Sequence, residues 1–269
     1  MNKENLDSKF NLNGKIAIVT GGCGFLGEQH CLALAEIGAK VIALDLATST
    51  KPVSFNKLEI FVISCDITDE NEVIKVIKGI TEKHKKVDIL INNAAIDHKV
   101  KANGLSASSR FETYDLEIAK QEYAVGIDGA VICSRVVSKY MMEQKSGVII
   151  NVSSDLGVIA PDHRIYNTDS ELTIFKPFTY SIIKHALIGL SKYLAIYLAP
   201  YGIRVNTISP GSIENDQNDD FKTKLKERIP LSRLASVDEY KSAVQFLASE
   251  ASSYMTGQNL IIDGGRSTW

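Results

Sequence analysis

The sequence predicts a doubly wound α/β fold built on a parallel sheet of about seven strands. Short apolar runs rich in β-branched residues alternate along the chain with segments of helical periodicity. The runs are apolar on both faces, which is typical of parallel strands that are covered by helices on either side. No composition break marks a second domain. We therefore expect one Rossmann-type domain over residues 14–269, after a polar lead-in at residues 1–13.

Each predicted strand leads into a helix or a loop, as this fold requires. The helix after the first strand is closed by Gly38 as its C-cap, and Asp69 is the predicted N-cap of an amphipathic helix that ends at the charge run 82–86. The predicted strands are residues 15–20, 41–44, 58–64, 87–91, 147–152, 203–208 and 260–262. Further helices are predicted at residues 114–143, 180–199 and 237–249, and substrate loops at about residues 155–178 and 212–230.

The composition is that of an ordinary globular protein and excludes several classes. Of 269 residues, 45% are apolar and 23% are charged, and the net charge is −2, so we expect no nucleic-acid partner and no attraction to an anionic membrane. The four cysteines have no C-x-x-C spacing and no cluster has metal-ligand spacing, so we expect no metal. The N-terminus is polar and no apolar stretch approaches roughly 18 residues, which predicts a cytoplasmic protein.

A glycine-rich turn follows the first strand, with Gly21, Gly24 and Gly27 at G-x-x-G-x-x-G spacing. Such a turn lets the backbone approach a pyrophosphate, and the next helix adds free N–H groups and the positive end of its dipole. The position between a strand and a helix favours dinucleotide binding, although a tight structural turn uses the same residues. Phe25 and Leu26 belong to the same predicted cofactor segment.

Asp45 ends the second strand and is the candidate ligand of the adenosine ribose. Its distance along the chain from the glycine-rich turn is close to the spacing of about 20 residues at which an acid meets the ribose 2′-OH. A carboxylate there accepts from the hydroxyl and repels a 2′-phosphate, and the nearest base is Lys51. The sequence therefore favours NAD over NADP, the alternative being that Asp45 only caps a loop.

Tyr180 and Lys184 form a Y-x-x-x-K pair, which places both side chains on one face of a helix. The pair carries information only in its context, downstream of strands that end in asparagines and serines. With this context, nearly the whole sequence resembles the short-chain dehydrogenase/reductase family. The resemblance is carried by Thr20-Gly21 through Gly27, Asp66, Asn92-Asn93-Ala94-Ala95, Asn151-Val152-Ser153-Ser154, Tyr180 through Lys184, Arg204-Val205-Asn206, Pro210-Gly211, Thr256-Gly257 and Asp263-Gly264-Gly265.

The resemblance implies an oxidoreductase in which hydride passes between a nicotinamide cofactor and a substrate carbon. Tyr180 would exchange a proton with the substrate oxygen, and Lys184 would lower a tyrosine pKa that is ordinarily about 10. Ser154 would hold the substrate carbonyl or alkoxide. The resemblance further places Asp66 and Ile67 at the adenine, Asn93 and Ala94 at a ribose, Lys184 and Tyr180 at the nicotinamide ribose, and Pro210, Gly211 and Ile213 at the nicotinamide.

The sequence departs from the family pattern at three places. Phe25 stands where compact members have the middle glycine of G-x-x-x-G-x-G, and the observed spacing resembles extended sugar-nucleotide epimerases and dehydratases. Gly126 stands where the family often has an asparagine that supports a proton-relay water. We therefore expect either another water arrangement or weaker turnover. About a dozen residues are inserted between Ser154 and Tyr180.

The inserted segment lies where the family builds its substrate lid, and it contains His163, Arg164 and Tyr166. These residues suit a phosphate, a carboxylate or a sugar ring, although a solvated loop with a packed tyrosine fits the pattern equally. His98, which follows a strand end, is a further substrate candidate. The loop and the polar residues after Pro210-Gly211 are similar to bacterial dehydrogenases of surface-glycan and flagellin-sugar biosynthesis. This similarity predicts a polar or phosphorylated sugar as substrate.

Two other functions remain open. An extended-type epimerase or dehydratase would return the hydride to its substrate and hold NAD tightly, whereas a non-catalytic module would only bind the dinucleotide. The resemblance also implies a homo-oligomer, a dimer or a tetramer, through the long helices beside the serine strand.

Overall fold

The sheet has seven parallel strands in the order β3-β2-β1-β4-β5-β6-β7. The computed structural model describes residues 3–46, 55, 58–96, 109–166 and 174–269. The strands are β1 Ile16–Thr20, β2 Lys40–Asp45, β3 Ile60–Ser64, β4 Ile89–Asn92, β5 Gly147–Val152, β6 Ile203–Pro210 and β7 Asn259–Ile262. The helices are α1 Lys3–Phe10, α2 Phe25–Glu36, α3 Glu70–His84, α4 Leu116–Tyr123, α5 Gly129–Gln144, α6 Phe178–Leu198, α7 Asp219–Lys226 and α8 Lys241–Ala248.

Alternate side chains of the strands fill two cores, one on each face of the sheet. In β1, Ala17 and Val19 pack towards α2 and α8, whereas Ile16 and Ile18 pack towards α3, α5 and α6. All five residues of β1 are buried, which explains why the run is apolar on both faces. The predicted doubly wound fold in a single Rossmann-like domain is confirmed.

Three helical segments differ from the prediction. The region 114–143 is divided by a π-helical turn at Ala124–Asp128. This turn brings Gly126 against α6, where an added Cβ would lie only 2.6 Å from Ile183 Cγ2. The lead-in contains α1, and the loop predicted at 212–230 contains α7. Both helices are short and mostly polar, and the two buried apolar residues of α7, Phe221 and Leu225, are too few for a periodic pattern.

The segment Phe178–Tyr201 is long and apolar enough to cross a membrane by length and composition alone, which the sequence analysis did not anticipate. Such a property is weak evidence, because the core helix of a soluble protein shares it. Here the segment consists mainly of α6, which packs on β5 and β6. Its outer face exposes large side chains, among them Ile196, Tyr193 and Tyr197.

Candidate active site

The carboxyl ends of β1 and β4 border a cleft, because the order of the strands reverses between them. Two cavities open there, of about 520 Å³ and about 550 Å³. They share Phe25, Leu26, Ser154 and Tyr180. The predicted site residues that line the first cavity are Gly21, Gly24, Phe25, Leu26, Gly27, Asp45, Asp66, Ile67, Asn93, Ala94, Ser154, Tyr180, Lys184 and Pro210.

The glycine turn is built by close backbone contact between β1 and α2. Gly21 has a φ of +61°, and a Cβ on Gly27 would lie 2.0 Å from the Gly21 carbonyl oxygen, so a side chain at Gly27 does not fit. Gly24 is the extended N-cap of α2. Phe25 begins the helix and is 37% exposed. Its side chain lies between the two cavities, which is why the turn tolerates a phenylalanine at the position of the usual middle glycine.

Polar side chains at neighbouring strand ends hold this turn. Asp45 Oδ2 accepts from the Cys23 backbone N–H at 3.0 Å. Asn93 Nδ2 donates to the carbonyl oxygens of Thr20 and Gly21 at 3.0 and 3.1 Å. Both residues line the first cavity while also supporting its glycine-rich wall.

Ser154 belongs to a buried chain of polar contacts that reaches the end of the sequence. Its Oγ donates to Asp155 Oδ1 at 2.8 Å and accepts from the Leu156 N–H at 3.2 Å. Asp155 Oδ2 in turn accepts from Arg266 Nη1 at 2.8 Å, and both side chains of this ion pair are at most 6% exposed. Arg266 therefore fixes the orientation of Ser154 through Asp155. Neither Asp155 nor Arg266 was predicted.

Tyr180 and Lys184 lie one turn apart near the start of α6. Lys184 is buried and donates to the Val152 carbonyl oxygen at 2.9 Å, while its Nζ lies 5.5 Å from the centre of the Tyr180 ring. A second ammonium, that of Lys176, lies closer, at 3.9 Å from the same ring centre. Lys176 was missed because its segment has no periodicity.

Gly126 stands at the position of the usual relay asparagine, and the space beside it is filled by a side chain of α6. Ile183 of α6 occupies the space above Gly126, so an asparagine does not fit there without a shift. One helical turn before Gly126, Glu122 is 2% exposed and accepts a hydrogen bond from the Tyr114 hydroxyl at 2.8 Å. Burial, together with this bond, raises the pKa of Tyr114 to about 12. Glu122, Tyr180 and Lys176 border a cavity of about 10 Å³, close to the space of one water molecule.

Arg164 does not line either of the two large cavities, contrary to the substrate role predicted for it. Its side chain is 75% exposed and makes two hydrogen bonds to Asp162, at 2.8 and 2.9 Å. Arg164, helped by Arg228, holds the pKa of Asp162 well below its usual range. The guanidinium of Arg164, which was predicted to bind a substrate anion, is thus paired with the carboxylate of Asp162.

The remaining substrate candidates have three different positions. Tyr166 lines the second cavity and packs on Phe221, with ring centres 5.3 Å apart. His163 packs edge-on against Phe175, and its Nδ1 accepts from the Lys176 backbone N–H at 3.4 Å, so it supports the wall instead of lining it. His98 lies outside the described residues.

The predicted nicotinamide contacts after β6 also have different positions. Ile213 lines the second cavity, together with Asn215 and Gln217. Gly211 packs directly on Asp263, where an added Cβ would lie 2.6 Å from the Asp263 Cα. Gly211 therefore permits the close approach of two chain segments. Within the described residues, no three His, Cys, Asp or Glu side chains are grouped so that they could hold a metal ion.

Known proteins share this architecture along nearly the full chain. The family model described as enoyl-(acyl carrier protein) reductase matches residues 26–267. A 3-oxoacyl-[acyl-carrier-protein] reductase, FabG, of Thermotoga maritima is 31% identical over 94% of this chain and 98% of that protein. A short-chain dehydrogenase of Leptospira borgpetersenii with bound NAD+ is 33% identical, with a TM-score of 0.85 over 99% of this chain and 97% of that one. A gluconate 5-dehydrogenase of Burkholderia cenocepacia in complex with NADP and tartrate is 25% identical, with a TM-score of 0.84 over 98% and 99%.

The fold and these similarities define an oxidoreductase with a Rossmann-type site for a nicotinamide dinucleotide. The chain belongs to the short-chain dehydrogenase/reductase family.

Proposed function

We propose that the chain is an NAD(H)-dependent oxidoreductase that interconverts an alcohol and a ketone on a polar, sugar-type substrate. One observation carries the proposal: Ser154 and Tyr180 lie on the border that the two cavities share, with Lys184 beside them in the first. A cofactor in the first cavity and a substrate in the second would meet at these hydroxyls.

The first cavity has the features that a dinucleotide requires. The contact between Gly27 and Gly21 leaves a cradle without side chains, which lets a pyrophosphate approach the backbone at the N-terminus of α2. Asp45, which lines the cavity, supports NAD over NADP, because a carboxylate repels a 2′-phosphate. When bound, the nicotinamide supplies or accepts the hydride.

The protein's own groups handle the substrate oxygen and its proton. Tyr180 would take the proton of the substrate hydroxyl during oxidation and return it during reduction. The ammonium groups of Lys184 and Lys176 favour the phenolate that this step needs. Ser154, held by Asp155, would position the same oxygen.

The substrate class follows from the walls of the second cavity. Asn215, Gln217, Lys176 and Arg266 supply polar and charged groups there, and Tyr166 supplies a ring that suits a sugar face. The gluconate 5-dehydrogenase similarity supports a polyhydroxylated substrate. We further propose a role in surface-glycan biosynthesis, supported by the resemblance of the inserted loop to dehydrogenases of that process.

We also propose that the protein is a cytoplasmic homo-oligomer, a dimer or a tetramer. The exposed face of α6 supports the assembly, since Ile196 is 82% exposed and Tyr193 is 67% exposed. The buried Cys31, Cys65 and Cys133 are thiols, which supports a reducing compartment. Sedimentation of the purified protein measures the oligomeric state, and a monomer would contradict the proposal.

Titration of the purified protein with NADH and with NADPH tests the cofactor assignment. We expect tighter binding of NADH, and we expect Asp45→Ala to reduce the preference. Glu36→Ala, at an exposed position outside the cavity, is the matched control. Binding of neither nucleotide would contradict the proposal.

Turnover then separates the alternatives. A dehydrogenase changes the absorbance of the NADH band in proportion to the alcohol consumed. An epimerase or dehydratase with tightly held NAD would convert a sugar nucleotide without that net change, and a non-catalytic module would bind NADH but convert nothing. The substrate panel should include polyols, sugar acids, sugar phosphates and a 3-oxoacyl thioester, the last because of the FabG similarity.

A further inference from the structure

Lys176 places a second positive charge, besides that of Lys184, near the Tyr180 ring. Its Nζ lies 3.9 Å from the centre of the Tyr180 ring, and the phenol oxygen is only a ring radius and one C–O bond from that centre. The ammonium therefore lies over the face of the ring whose hydroxyl is proposed to react. Lys176 also lines the second cavity, on the side where the substrate would lie.

The backbone around Lys176 is fixed by neighbouring rings. Its N–H donates to His163 Nδ1, and the preceding ring of Phe175 packs on His163 at 5.1 Å between centres. The guanidinium of Arg110 lies over the same Phe175 ring, 5.3 Å from its centre. Pro177, which is buried, restricts the next φ angle. These contacts position the Lys176 backbone at the cavity wall.

A second cation stands near Ser154 in the same cavity. Arg266 lines the wall, and in the described part of the chain the hydrogen bond of its side chain is to Asp155. Among the described residues, two carboxylates line the cavity, those of Asp155 and the exposed Asp216. Asp155 is neutralised by its buried pair with Arg266, and the buried Glu122 borders a neighbouring small cavity together with Lys176 and Tyr180. Of the described cations that line the second cavity, Lys176 lies over the Tyr180 ring.

We propose that this cavity selects substrates with an anionic group, a carboxylate or a phosphate monoester, and that Lys176 binds it. In the absence of substrate the ammonium lies over the Tyr180 ring, where it gains cation–π attraction. A substrate anion in the second cavity would offer it an ion pair, because Lys176 lines that cavity. This inference rests on the proposed function and transfers the anion contact predicted for Arg164 to Lys176.

Binding of simple anions tests the subsite without requiring turnover. Tartrate and inorganic phosphate are titrated into the protein saturated with NADH, using the parent, Lys176→Met, Lys176→Arg and the control Arg164→Met. We expect Lys176→Met to weaken the better anion at least tenfold, Lys176→Arg to retain most of the affinity, and Arg164→Met to leave it unchanged. Equal affinity in the parent and in Lys176→Met would overturn the proposal.

Turnover measurements distinguish a carboxylate from a phosphate monoester as the bound anion. They also distinguish either one from a general effect of Lys176 on Tyr180. D-gluconate, D-glucitol 6-phosphate and the neutral D-glucitol are compared for kcat/KM in the parent and in Lys176→Met. A selective loss for gluconate identifies a carboxylate, and a selective loss for the phosphate identifies a phosphate monoester. An equal loss for all three substrates would overturn the anion subsite and assign Lys176 to Tyr180 alone. If none of them is oxidised while Lys176-dependent anion binding persists, the proposed function fails and the subsite stands.

Discussion

Replacing Arg266 with methionine removes the partner of a carboxylate that is buried beside the proposed active site. The two side chains are 6% and 4% exposed, and their charged atoms are 2.8 Å apart. Removing one partner of such a pair costs about 3–5 kcal/mol, because the other charge remains buried without compensation. For a domain of this size each kcal/mol lowers Tm by about 2–4 °C, so we expect a decrease of about 10 °C.

Urea unfolding at neutral pH measures this change directly, and the double variant Arg266→Met/Asp155→Asn is its control. The asparagine carries no charge but can still accept from Ser154, so the double variant should recover most of the lost stability. A loss under about 1 kcal/mol at neutral pH, or no recovery in the double variant, would refute the assignment of a buried structural ion pair.

Two further predictions concern buried positions near the site. Burial, with a smaller contribution from Lys184, lowers the pKa of His30 from 6.5 to about 4, and neither ring nitrogen has a hydrogen-bond partner in the described part of the chain. As the pH falls, the unfolded chain binds the proton first, so the free energy of unfolding should decrease by about 3 kcal/mol from pH 6.5 to 4. His30→Leu should flatten this pH dependence. An unchanged slope in the variant would contradict the assignment to His30. Gly126→Asn should destabilise the protein by about 1–3 kcal/mol in thermal unfolding, since its Cβ would contact Ile183, and adding Ile183→Ser should relieve the loss. Equal melting temperatures of the parent and Gly126→Asn would show that the space is not filled as described.

The positions of the strands and of the nucleotide cleft could be predicted because their physical cause is local. A strand buried on both faces must be apolar on both faces, and the five buried residues of β1 are such a run. The glycine turn was predictable for a similar reason, since only glycine allows the contact between Gly27 and Gly21. The end of β2 then places Asp45 at the same edge of the sheet.

The charges of the second cavity could not be predicted, because they depend on contacts between distant segments. Arg266 reaches Asp155 across 111 positions of the sequence. Lys176 lies in a segment without periodicity, and only the fold brings it over Tyr180. Arg164 looked like the anion ligand from sequence, but Asp162, two residues earlier, holds it at the surface.

The most direct test of the account measures NADH formation with the substrate panel in the parent and in Tyr180→Phe, together with NADH binding by both proteins. We predict that at least one polar alcohol is oxidised by the parent, that Tyr180→Phe lowers kcat by about 10²–10⁴-fold, and that its NADH affinity changes little. Full activity in Tyr180→Phe would contradict the role of Tyr180. Tight NADH binding without turnover of any alcohol would contradict the dehydrogenase assignment itself.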